Sequence, residues 1–186
     1  YCWQTTLSRK IDFNGVGLHS GNKVKVSIKP GKEDAGITFI RTDLNGDIKK
    51  RKIKANYLFV SDTSLCTTIE NEYGIKVSTI EHIMAAFNGS GIDNAEVELD
   101  NIEVPIMDGS SLPFLNLIEE AGITQQSAKR KILKILQKVE VKEDNKTCSI
   151  NPSNGFDFIT EIDFDSLAVG KQSATLSIEN YGFKDF

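Results

Sequence analysis

Histidine, cysteine and proline are all scarce in this chain, whose 186 residues include two His, three Cys and four Pro. The two histidines, His19 and His82, are too few for a three-histidine metal site within the chain. Cys2, Cys66 and Cys148 are odd in number, far apart and form no C-x-x-C pair. That excludes a disulfide framework and a cysteine zinc knuckle, and the expected location is the reducing cytoplasm. No apolar run approaches the roughly 18–20 residues that cross a bilayer. Residues 1–10 (YCWQTTLSRK) lack the basic-then-apolar pattern of a signal peptide. Excess positive charge is also missing: 22 Lys and Arg face 26 Asp and Glu, for a net charge of -4. There is thus no electrostatic case for nucleic acid or an anionic membrane as a partner. The one basic run, KKRKIK at residues 49–54, is a solvated strand or loop face on one reading and a phosphate-binding stretch on the other.

What is present describes a folded chain. Hydrophobic residues at 39% and charged residues at 26% lie outside the range of a disordered tail. Val24, Val26 and Ile28 alternate with Lys23, Lys25, Ser27 and Lys29, the period of a half-buried strand. Pro30-Gly31 stops it. Residues 37–40 (ITFI) predict a second strand and Asn45-Gly46 a turn. Residues 67–69 and 75–77 flank the turn residues NEYG and predict a hairpin. A helix is predicted from Ser78 into Phe87, with Ile80, Ile83, Met84 and Phe87 as its apolar face. Residues 95–99 (AEVEL) form another alternating strand. Residues 104–114 (VPIMDGSSLPF) predict a strand, an Asp108-Gly109 turn and a second helix that Gly122 ends. Residues 125–130 (QQSAKR) are the best linker candidate. Beyond them, residues 139–150 predict a hairpin, residues 156–162 a strand, and residues 177–186 the opening of a helix. About 60 residues beyond a linker make a marginal domain, so that portion reads as incomplete.

Few residues carry a chemical signal. GVGLHSG (residues 15–21) has the wrong spacing for a dinucleotide fingerprint and leads into a strand where that motif needs a helix. It is a glycine-rich turn, with His19 inside it as a hydrogen-bonding residue or a ligand. Glu81-His82 is sharper. Neighbouring helical residues point about 100° apart, so both can border one cavity. A neutral imidazole is a good zinc ligand, and a carboxylate beside it can accept a proton from water. The alternatives are structural: Ser78-x-x-Glu81 as a capping box, and His82 as a half-buried polar residue. Asp108 is equally a turn residue, and Cys66 a small buried apolar one.

In order, GVGLHSG, SLCTTI (residues 64–69), STIEHIMAAFNGSGIDN (78–94) and EVPIMDGSSLPF (103–114) closely resemble the UDP-3-O-acyl-N-acetylglucosamine deacetylases, zinc enzymes of lipid A biosynthesis. The resemblance runs from about Gln4 to the end of the chain and weakens after Ala128. NPSNGFDFITEIDF (151–164) is similar to the opening strands of that family's second domain. It implies an α+β fold of two similar domains, each a sheet with helices, the helices sandwiched between outer sheets. Residues 1–126 would form the first domain and 127–186 the start of a truncated second. It implies that Glu81 is the general base and His82 one zinc ligand, with His19, Leu65, Cys66 and Asp108 at the active-site rim. The other zinc ligands, a His and an Asp, would come from beyond residue 186, as would an assisting Lys and His. The expected protein is a monomeric, cytoplasmic enzyme acting on an acylated UDP-sugar, with this chain inactive alone. The alternative is a non-catalytic fragment or binding module that keeps the fold.

Overall fold

A computed structural model describes residues 3–177. The chain divides into two compact units, Tyr1–Arg130 and Lys131–Phe186. The architecture is α+β, with two α-helices among the described residues.

The first unit opens with five strands, β1 (Trp3–Leu7), β2 (Ile11–Val16), β3 (Lys23–Pro30), β4 (Ile37–Arg41) and β5 (Lys52–Lys54). A 3-10 turn (Tyr57–Phe59) leads to β6 (Val60–Asp62), β7 (Thr68–Glu70) and β8 (Lys76–Val77). Then come α1 (Glu81–Gly89), β9 (Ala95–Leu99), α2 (Leu112–Ala121) and β10 (Ile123–Lys129). The main sheet has five strands in the order β2-β3-β9-β4-β5. Its β4–β9 pair is parallel and the others are antiparallel. A parallel pair needs a long crossover, and here the crossover carries β5 to β8 and α1.

Alternation decides which face of this sheet is covered. Ala95, Val97 and Leu99 of β9 are buried, as are Val24, Val26 and Ile28 of β3. Between them Glu98 and Glu96 face outward, where Lys29 and Lys52 pair with them at 2.6 and 2.7 Å. The core is completed by Ile83, Ala86 and Phe87 of α1 and by Phe114, Leu115 and Ile118 of α2. Phe13 of β2 meets Phe114 edge-on, with ring centroids 5.8 Å apart. The basic run resolves as a solvated strand and turn. Lys52 and Lys54 lie in β5 and Lys50 stacks over Tyr73, 5.5 Å from the ring centroid.

The stretch expected to be a linker is instead the body of a strand. β10 pairs antiparallel with β1. Its half-buried Gln126 is tied into the fold: buried Asn94 donates through Nδ2 to Gln4 Oε1 at 2.8 Å and Gln126 Oε1 at 2.7 Å. Asn94 Oδ1 accepts from Gly36 N–H at 2.8 Å, and Gln126 Nε2 donates to the Gly31 carbonyl at 2.9 Å. Arg130 grips both carboxylate oxygens of Asp93, at 2.8 and 2.7 Å. Polar composition resembled a linker because most of this strand's polar side chains are exposed, while an amide satisfied inside the fold, as Gln126 is, is as polar as a solvated one.

The second unit holds two separate hairpins. β11 (Val139–Glu143) pairs with β12 (Lys146–Ile150), and β13 (Asp157–Asp163) with β14 (Lys171–Ser177). The predicted 139–150 hairpin and the strand at 156–162 are present. The helix expected from Ser177 onward lies outside the described residues except for Ser177 itself, which ends β14.

Candidate functional site

The helix that carries Glu81 and His82 starts later than its sequence signature suggests. Ser78 is held as extended backbone. Its N–H donates to the Ile102 carbonyl at 2.9 Å, its carbonyl accepts from Val104 N–H at 3.1 Å, and it bridges Glu103. Thr79 then turns with φ of 56°. For a β-branched residue that conformation is a true outlier, costing about 1–3 kcal/mol, and such strain concentrates at functional sites. Ile80 occupies the N-cap position without a side-chain cap. The Ser78–Glu81 capping box therefore does not form. Glu81 is the first helical residue, and its Oε2 accepts from Thr67 N–H at 3.0 Å.

That bond brings a second segment to the helix start. Residues 63–67 link β6 to β7, and Asp62 Oδ1 shapes the loop by accepting from Ser64 N–H at 2.9 Å and its hydroxyl at 2.7 Å. Leu65 projects from this loop and is exposed. Cys66 is a half-buried free thiol whose Sγ lies 3.7 Å from Thr68 Oγ1. Cys66 stands next to Thr67, the residue whose N–H binds Glu81, and Leu65 one position before it.

A third segment comes from the turn before α2. Asp108 accepts from Ser110 N–H at 2.9 Å and from its hydroxyl at 2.8 Å. These two bonds hold its carboxyl below the usual carboxylate range, and the charge of His82 adds to the effect. His82 is half-buried on α1. Asp108 also borders an open depression of about 510 Å³, lined in addition by Asn14, Gly15, Val16, Ile106 and Met107.

The fourth segment is the glycine-rich loop. His19 is exposed, and its backbone N–H donates to Glu103 Oε1 at 2.9 Å. Ser20 N–H donates to Glu103 Oε2 at 2.8 Å, and the Thr79 hydroxyl to Oε1 at 3.1 Å. Glu103 is buried, only 2% exposed. Burial alone would raise its carboxyl, but the bonds from His19, Ser20 and Thr79 outweigh it and hold the group below its ordinary value. Sequence reasoning missed this residue. The available signal was one acid inside the otherwise apolar run Ile102 to Ile106.

Of the sequence-predicted residues, Glu81 and His82 start α1, Cys66 precedes Thr67, whose N–H binds Glu81, and the His19 backbone is tied to Thr79 through Glu103. Leu65 lies on the loop before β7 and Asp108 on the turn before α2. As a metal centre the arrangement is partial. His82 offers one imidazole, but among the described residues no group of three or more His, Cys, Asp and Glu is placed to hold an ion.

The first turn of α1, packed on the sheet, thus carries a carboxylate and an imidazole in succession. The chain matches the family model described as UDP-3-O-acyl N-acetylglycosamine deacetylase over residues 4–186, and it belongs to that family. It is 45% identical over 179 residues to the UDP-3-O-acyl-N-acetylglucosamine deacetylase of Neisseria meningitidis serogroup C / serotype 2a, covering 96% of this chain and 58% of that protein. The enzyme of the same name from Chromohalobacter salexigens is 46% identical over 176 residues, covering 95% and 57%. That of Pasteurella multocida is 46% identical over 168 residues, covering 90% and 54%. The chain therefore spans somewhat over half the length of these curated relatives.

Proposed function

We propose that the complete protein removes the N-acetyl group from a UDP-3-O-acyl-N-acetylglucosamine in lipid A biosynthesis, as a zinc-dependent, monomeric, cytoplasmic hydrolase. The observation that carries the reading is the release of Glu81 from capping. Its carboxylate is fixed by Thr67 N–H beside His82, so it is oriented yet has a second oxygen for water. No helix among the described residues is long and apolar enough to cross a membrane.

Zinc, when held by His82 and donors outside the described residues, supplies carbonyl polarisation and acidification of water. The chain's own part is proton handling and placement. Glu81 takes a proton from the attacking water as its oxygen bonds to the acetyl carbonyl carbon. The carbon–nitrogen bond then breaks, the sugar amine leaves with a proton, and acetate is the second product. His19, Leu65, Cys66 and Asp108 line the rim around this centre, and no chemical step is attributed to them.

The test is a pair of substitutions in the complete natural protein. Glu81→Ala keeps zinc but lowers the deacetylation rate by at least roughly 10²-fold, the usual effect of losing a general base. His82→Ala lowers zinc affinity as well as rate. Full activity in Glu81→Ala would overturn the reading. The 186-residue chain by itself should show no turnover, because its described residues gather too few metal donors. As a stable, substrate-facing but inactive unit it would match the binding-module alternative.

A further inference from the structure

We propose that Glu103 is a positioning residue of this site, clamping the His19 loop to the strained turn that launches α1. The inference rests on the deacetylase reading for its kinetic consequence but not for its geometry. A buried carboxylate is unfavourable unless its oxygens are satisfied, and this one is satisfied by two segments far apart in sequence. Oε1 accepts from His19 N–H at 2.9 Å and from the Thr79 hydroxyl at 3.1 Å, while Oε2 accepts from Ser20 N–H at 2.8 Å. The main chain of Glu103 meanwhile bridges Ser78.

The loop is built to receive the carboxylate. A Cβ at Gly17 would lie 2.4 Å from Glu103 Oε2 and from Ser20 Oγ, so a side chain there would have to push the carboxylate from its bonded position. Other hydrogen bonds of the loop are local: Gly17 N–H to the Asn22 carbonyl, Gly21 N–H to the Gly17 carbonyl, and Asn22 N–H to the Ser20 hydroxyl. They shape the loop without tying its tip to the rest of the unit. Glu103 supplies that tie, and its other contact is Thr79, two residues before Glu81. One side chain therefore sets where His19 stands relative to Glu81 and His82.

Glu103→Gln in the complete natural protein tests this, because it keeps the volume but replaces one acceptor oxygen with a donor. Amide hydrogen exchange at His19 and Ser20 should quicken by about tenfold or more through loss of charge-assisted bonds, while Val26 and Val97 in the sheet keep wild-type protection. Zinc content should be unchanged, and kcat should fall roughly 10- to 100-fold, the scale of a small misplacement of reacting groups. Unchanged exchange at His19 and Ser20, or wild-type kcat, overturns the proposal. If Glu103→Gln loosens the sheet amides too, Thr79→Val takes its place, removing one bond at nearly constant shape. It should lower kcat with the sheet intact, and wild-type kcat there overturns the clamp. If the wild-type protein shows no deacetylation at all, the deacetylase reading fails while the exchange result still decides the clamp.

Discussion

Val24 and Val26 of β3 alternate with lysines and are 1% and 2% exposed, whereas Val139 and Val141 of β11 alternate with Glu140 and Lys142 and are 51% and 65% exposed. The strand pattern is the same in the two units; the outcome is not. β3 sits inside a five-stranded sheet whose inner face shares a core with α1 and α2. β11 pairs with β12 alone, and no residue between 131 and 177 is buried. Alternation tells which face of a strand is apolar. Whether that face is buried depends on a covering layer, which no strand carries in its own sequence.

The comparison breaks most visibly in the first unit's core. Phe114 is fully buried and stacked edge-on against Phe13. Phe114→Ala should destabilise the first unit by about 3–5 kcal/mol, through lost burial and the cavity left behind. Denaturant unfolding followed by a probe in this unit measures it. A loss below about 1 kcal/mol would mean the core is far looser than its burial indicates.

A smaller loss is expected where the first unit is held by polar groups. Asn94→Leu strands Gln126 Oε1 and Gly36 N–H without partners and removes one of the two bonds to Gln4 Oε1, which still accepts from Asp34 N–H. Leaving buried groups unsatisfied costs about 1–3 kcal/mol. Because β1–β10 depends on this network, amide exchange in that ribbon should rise before exchange in β3 and β9 does. Uniform acceleration across the unit would show that the ribbon and sheet unfold together.

Local pattern made the strands legible wherever burial follows from one neighbouring layer, as at residues 23–29 and 95–99. It failed where a distant partner captured a local signal. Ser78-x-x-Glu81 is a valid capping box by composition, but Ser78 is taken by Glu103 and Ile102, so the helix starts at Glu81. β10 looked like a linker because Gln126 meets Asn94 only in three dimensions. β14 escaped notice because Gln172, Ser173 and Thr175 weaken its apolar alternation. Of the site, the Glu81-His82 pair was visible as a pair, and the family resemblance singled out the rim residues. Glu103 was not visible, since a lone acid in an apolar run announces burial but not what it will bind.

Acid should weaken the first unit selectively through Glu103. Its folded carboxyl sits below its ordinary value, while in the unfolded chain it titrates at the ordinary glutamate value of about 4.3. Between those values the unfolded chain binds more protons than the native one, so stability is lost as pH falls through that window. Unfolding midpoints measured from about pH 6 down to about pH 3 should fall less steeply for Glu103→Gln than for wild type. Parallel profiles would remove Glu103 from the acid response and assign it to exposed carboxylates such as Asp108, whose pKa is also lowered.

The smallest effect belongs to the second unit. Ile159 of β13 is 81% exposed, so Ile159→Thr in the 186-residue chain removes little apolar burial and keeps a β-branched side chain. The change in stability should stay within about 0.5 kcal/mol, as for other surface substitutions. Repeating it in the complete natural protein sharpens the contrast between the units. A loss of about 1.5–3 kcal/mol there is what full burial of such a side chain is worth, and it would show that a further layer covers this strand as α1 and α2 cover the first unit's sheet. An equally small loss would mean that the exposed face of β13 is solvated in the whole protein too, and that the two units differ in kind and not only in what covers them.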